Sequence, residues 1–115
     1  MAIKKRRPTP LKIRVMAEYG SSGLWGFRDR DKGPFRHGML EYSALDLPDD
    51  LCDGFRRWIQ RYEDDNLTHR LDHAAFNAEG MRLASLLKRC LGTDQHVEYQ
   101  GESPEGGLLP SVMVE

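Results

Sequence analysis

Residues 72–92 read DHAAFNAEGMRLASLLKRCLG, and the fold is decided here. Phe76, Gly80, Leu83, Ala84, Leu87, Cys90 and Leu91 recur at steps of three and four, which puts them on one face of a helix. Asp72 is placed to accept backbone N–H groups at the start, and Gly92 to take the left-handed conformation that ends a helix. Lys88 and Arg89 fall in the last turn, where the helix dipole favours cations. A helix with one apolar face has to be covered, so the rest of the chain must supply a sheet or another helix.

Upstream, a second helix is predicted from Pro48 to Asp64. Proline suits the first helical position because its missing N–H has no partner there. Leu51, Phe55, Trp58, Ile59 and Tyr62 form its apolar stripe, while Arg56, Arg57 and Arg61 face outward. Residues 65–71 connect the two helices, and so short a link favours antiparallel neighbours. From Leu11 to Tyr19 the apolar residues alternate (Leu11, Ile13, Val15, Ala17, Tyr19), the signature of a half-buried strand. The turn Gly20-Ser21-Ser22-Gly23 breaks it. Leu24, Trp25 and Phe27 then read as an apolar cluster tucked onto the core edge, and residues 28–38 as an exposed charged loop. Met39 to Tyr42 is a short second strand. Downstream of Gly92, His96 to Tyr99 predicts a closing strand beside the first, and residues 101–107 a polar turn region. Leu108, Leu109, Val112 and Val114 either add an edge strand or hang free. The expected fold is therefore α/β and two-layered, a small sheet of three or four strands with two antiparallel helices on one face. It occupies residues 11–115 as a single domain, behind a flexible basic arm at residues 1–10.

A chain of 115 residues buries about 65% of its unfolded surface and needs no disulfide to do so. Cys52 and Cys90 read as reduced, half-buried small hydrophobes. No apolar run approaches the roughly 20 residues of a membrane span, and no hydrophobic core follows the basic N-terminus, so the expected location is cytoplasmic. The net charge of −1 conceals an asymmetry. Removing the five basic residues of 1–12 from the 17 in the chain leaves 12 against 18 acids, a balance of −6. Such a body is repelled by phosphates and attracted to a basic protein surface.

Four groups of residues are candidates for chemistry. The turn after the first strand offers Ser21 or Ser22, with Glu18 and a histidine, as an alternative enzymatic site, but neither the dinucleotide, the phosphate-loop nor the nucleophile-elbow spacing is met. His69 and His73 have the i, i+4 spacing of a metal pair. With Asp72 acting as the cap only His73 is helical, so no metal is expected; no cofactor motif is found either. Asp46, Asp49, Asp50 and Asp53 lead into the second helix, as ordinary first-turn acids or as a surface for a basic partner. Trp25 and Phe35 are loop aromatics suited to a protein contact. Lys4, Lys5, Arg6 and Arg7, in the arm, offer a second alternative as a nucleic-acid contact.

The strings Tyr19-Gly-Ser-Ser-Gly-Leu-Trp25 and Leu47-Pro-Asp-Asp-Leu51, then Trp58, Tyr62, Phe76-Asn-Ala-Glu-Gly80, Leu83-Ala84 and Val97-Glu-Tyr99, carry a resemblance. Over about residues 11–100 the chain resembles a group of small bacterial proteins with this strand–helix–helix–strand pattern, which has no assigned activity and transfers no functional residue. The compact acidic form is also similar in character to bacterial toxin-immunity proteins. The expected function is thus a small non-catalytic protein that binds another protein through an acidic surface.

Overall fold

The computed structural model describes residues 12–27 and 37–115. Strand β1 (Lys12–Met16) is followed by β2 (Leu24–Phe27), β3 (His37–Met39), α1 (Asp49–Asn66), α2 (His73–Leu91), β4 (His96–Gln100) and β5 (Val112–Met113). The strands form one mixed sheet in the order β3-β2-β1-β4-β5. β1 lies at its centre, antiparallel to β2 and parallel to β4, with Ile13 opposite Val97 and Val15 opposite Tyr99. The closing strand therefore does sit beside the first. The alternation read from the sequence holds through both strands, as Ile13, Val15, Val97 and Tyr99 are buried while their neighbours are half-buried.

The sheet has five strands instead of three or four because Leu24, Trp25 and Phe27 are not a loop cluster but strand β2. Gly20 and Gly23 take φ of 71° and 82°, values that side-chain-bearing residues seldom adopt, and so reverse the chain. The Met16 N–H then donates to the Gly23 carbonyl at 3.0 Å, which zips β1 to β2. The second expected strand is displaced toward the N-terminus: β3 ends at Met39, and Tyr42–Ala44 form a 3-10 turn. The Tyr42 hydroxyl donates to the Ser22 carbonyl at 2.7 Å, which ties that turn to the hairpin. The downstream apolar run supplies an edge strand, with Met113 opposite Glu98.

Both helices form where the periodicity places them. Asp72 accepts from the Ala75 N–H at 3.1 Å, and Gly92, at φ 93°, closes α2 by donating to Lys88 O at 2.9 Å. The Lys88 ammonium donates to the carbonyls of Thr93 and Gln95, which holds the turn into β4. Pro48 is the N-cap of α1, one position earlier than expected, and Asp49 and Asp50 fill the first turn. Phe55, Trp58 and Tyr62 of α1 and Phe76, Leu83 and Leu87 of α2 join one core with the Ile13, Val15, Val97 and Tyr99 side of the sheet. At its centre the Trp58 ring stacks on Phe76 with centroids 4.7 Å apart, and its Nε1–H donates to Phe76 O at 3.0 Å. Gly80 permits this packing, because a Cβ there would lie 2.5 Å from the Tyr99 ring and 2.6 Å from Trp58. Burying side chains of this size stabilises the fold by about 1.5–3 kcal/mol each. Cys52 is buried, whereas Cys90 is exposed, contrary to expectation: it lies toward the outer trough between the helices, beside Arg82 and Leu86.

Candidate partner-binding site

Parallel pairing brings two acids to the same end of the sheet. Met16 and Gln100 are partners at the ends of β1 and β4, and Glu18 and Glu102 each follow by two residues. The C-terminal turn of α1 and the first residue of α2 reach the same end. Together they enclose a cleft of about 550 Å³ lined by Glu18, Tyr62, Asn66, His69, His73 and Glu102, with the 103–108 turn as one wall. The crevice beyond the carboxyl ends of parallel strands is a common place for a site in α/β sheets.

The backbone holding Glu102 is fixed by Asn77 of α2. The Asn77 amide donates to the Glu102 carbonyl at 2.9 Å, while its oxygen accepts from the Glu102 N–H at 3.0 Å and from the Tyr99 hydroxyl at 2.9 Å. The turn beyond is closed by Ser103 N–H donating to Gly107 O at 2.9 Å, with Gly106 and Gly107 at positive φ. Glu102 is only 8% exposed. Burial raises its carboxyl pKa above the usual range, and the Glu18 charge adds to this. A hydrogen bond donated by the Tyr62 hydroxyl and the proximity of His73 act in the opposite sense. Burial, reinforced by Glu102, also pushes the Tyr62 phenol up, so Tyr62 stays a donor. On the rim, Glu63 accepts from the Gly20 N–H at 2.6 Å, and Tyr19 packs on Tyr62 with centroids 4.8 Å apart. Two crowded carboxyls, one largely withdrawn from water, favour a cation in the cleft because a cation relieves their repulsion.

The opposite face of the sheet is built differently. Glu98 accepts from Arg14 at 3.2 Å and from the Ser111 hydroxyl at 2.9 Å, pairs with His96 at 2.9 Å and has Lys12 at 3.5 Å. Burial acts to raise its carboxyl, but the His96, Ser111 and Arg14 hydrogen bonds and the Lys12 charge outweigh it and hold the pKa at about 2. Lys12 and Arg14 also stand over the Phe27 ring, 4.4 and 4.7 Å from its centroid.

The candidates read from the sequence are scattered over the molecule. Asp46, Asp49, Asp50 and Asp53 are all exposed at the N-terminal end of α1. The cleft lies at the other end of that helix, about 27 Å away at 1.5 Å per residue. Asp53 pairs with Arg56 at 2.8 Å. Trp25 is half-buried in β2, on the face opposite the helices, with its Nε1–H donating to Met16 O at 3.0 Å. Lys4, Lys5, Arg6, Arg7 and Phe35 lie outside the described residues. The Ser22 hydroxyl donates to Leu40 O at 2.6 Å and that of Ser21 to Glu18 O at 2.9 Å, so both serve the hairpin backbone, and neither lines the cleft. His69 and His73 both line the cleft, but His69 precedes α2 at φ 56°, and no three ligands converge on a metal position among the described residues. Glu102 escaped the sequence reading. Its signal was the register of two parallel strands, which no single segment reveals.

No helix among the described residues is long and apolar enough to cross a membrane. Comparison with curated proteins and with solved structures found no match. A family model described as Serratia CdiI immunity protein-like matches residues 11–102, which span β1 to Glu102. The chain belongs to the Serratia CdiI immunity protein-like family.

Proposed function

We propose that this chain is an immunity protein that binds and blocks a toxic protein partner, and that it does so by receiving basic side chains of that partner on an acidic surface. The observation that carries the reading is the cleft in which Glu18 and Glu102 meet. Family membership and the −6 balance of residues 13–115 support it. A lysine or arginine entering the cleft finds two carboxyls, the Tyr62 ring, the Asn66 amide and the His69 and His73 imidazoles. Its charge stabilises the ionised form of Glu102, so part of the burial penalty that raises this carboxyl in the free protein is offset on binding. The exposed Asp46, Asp49, Asp50 and Asp53 form a separate acidic patch at the other end of α1, beyond Arg56, Arg57 and Arg61, where they steer the partner more than they hold it. In this reading the protein acts by occlusion.

The experiment is co-expression with the toxin candidate encoded beside its gene, followed by affinity capture. Wild type should restore growth and co-purify with that protein, and Glu18→Gln/Glu102→Gln should lose both while remaining folded. Growth protection that survives this double substitution would remove the cleft from the account, and no protection by wild type would remove the immunity reading itself. The serine and basic-arm alternatives gain no comparable support: both serine hydroxyls are engaged by backbone, and the arm is outside the described residues.

A further inference from the structure

The outward surface of α1 carries its charges in blocks. Asp49, Asp50 and Asp53 come first, Arg56, Arg57 and Arg61 follow, and Asp64 and Asp65 close the helix. Within this run Asp50, Asp53, Arg57 and Arg61 are separated by three, four and four residues, so they form one stripe along the helix. The stripe borders the trough between α1 and α2, where clefts of about 350 and 360 Å³ share Gly54 and Arg57. Gly54, midway along it, lies buried on the trough floor and lets α1 pack closely on α2, since a Cβ there would meet Leu83 Cδ2 at 2.9 Å. Arg82 on the far wall is already held by Glu79 at 2.6 and 2.8 Å. Arg57 and Arg61 are exposed and make no close ion pair among the described residues, although their charges, after that of Arg82, help hold the Glu79 carboxyl down across the trough.

We propose that this stripe is the face through which two copies of the chain pair, α1 against α1, antiparallel about a two-fold axis near residue 55. In an isologous contact, if residue i meets residue j then j also meets i. With the axis there, Asp53 of one copy, which within its own chain pairs with Arg56 at 2.8 Å, meets Arg57 of the other and Asp50 meets Arg61, and each contact forms twice. The block pattern is therefore its own complement in this one orientation. A parallel pairing would instead set acid on acid and arginine on arginine. Nucleic acid fits the stripe poorly, because its leading acids repel phosphate. Surface ion pairs are individually weak, so the dimer is held loosely and is sensitive to salt. It covers Asp50 and Asp53, so a basic partner using those acids competes with it. The pairing does not depend on the immunity reading, and its test needs no partner.

The test is sedimentation equilibrium of the full chain over a wide concentration range at low and high salt. The expected result is a reversible monomer–dimer equilibrium that weakens as salt rises. Asp53→Arg alone and Arg57→Asp alone should each weaken it about ten-fold or more, since like charges then face one another twice. Asp53→Arg/Arg57→Asp should recover it, because the swap regenerates complementarity across the axis. Both positions are exposed, and thermal melting by circular dichroism should show each variant folded as wild type. A chain that stays monomeric throughout at low salt would overturn the proposal. So would a dimer indifferent to the single reversals, or one that the double swap fails to regain.

Discussion

Glu98 in β4 and Glu102 just beyond it belong to the same stretch of backbone, yet their surroundings drive them in opposite directions. Glu98 sits among Arg14, Lys12, His96 and Ser111, and its carboxyl is held at about 2. Glu102 sits against Tyr62 and Glu18, and burial raises it. The first region has its charges matched within the chain and serves folding. Among the described residues, the second has only the proximity of His73 and the Tyr62 hydroxyl to set against its burial and the Glu18 charge. Under the proposed function, that difference separates a structural carboxylate from one available to a partner.

Both regions hang from the aromatic core, so the largest expected effect does not separate them. Trp58→Ala removes the ring that stacks on Phe76 and lies tilted against Tyr99, and should cost about 3–5 kcal/mol in chemical denaturation, which would weaken both regions together. Glu98→Ala leaves Arg14 and His96 half-buried without their acceptor. It should cost about 1–2 kcal/mol, a figure reduced because water still reaches the site. Tyr62→Phe deletes the donor to Glu102 and should cost about 1 kcal/mol, while moving the Glu102 carboxyl further up in an NMR titration. Glu102→Gln should change stability by less than about 0.5 kcal/mol near neutral pH, since a neutral side chain avoids the repulsion from Glu18.

The two carboxylates also make opposite contributions to the pH dependence. Glu98 falls from an ordinary 4.5 to about 2, so between those values the unfolded chain binds more protons than the folded one. Its contribution is complete above pH 4.5 and is lost as pH falls toward 2. Glu102 is raised, so the folded state holds that proton more tightly. Its contribution is present below the usual carboxylate range and fades as pH rises through the folded-state pKa. Melting temperature against pH should therefore lose part of its acid limb in Glu98→Gln and part of its decline above the carboxylate range in Glu102→Gln. Identical profiles for the two variants would erase the distinction.

Local pattern carried most of the fold. The caps at Asp72 and Gly92, the stripes of both helices and the alternation through Ile13, Val15, Val97 and Tyr99 are signals written within single segments. Strand β2 was illegible because Gly26 interrupts a run of only four residues, and its identity rests on pairing with β1. The cleft was illegible for a related reason. Glu18 and Glu102 are 84 positions apart and meet only through parallel register, and the burial of Glu102 depends on Asn77 pinning the turn from α2. The acids of α1, conspicuous in sequence, remain at the surface because a first turn rich in aspartate is satisfied by the helix dipole and water.

The most direct test of the cleft as the partner-binding surface is calorimetric titration of the purified toxin candidate into wild type and into Glu18→Gln/Glu102→Gln, at low and moderate salt. The predicted result is tight, salt-weakened binding to wild type and an affinity about 100-fold lower for the double variant, the loss expected when a buried charge pair is denied its acid partner. Equal affinities for the two proteins would contradict the account.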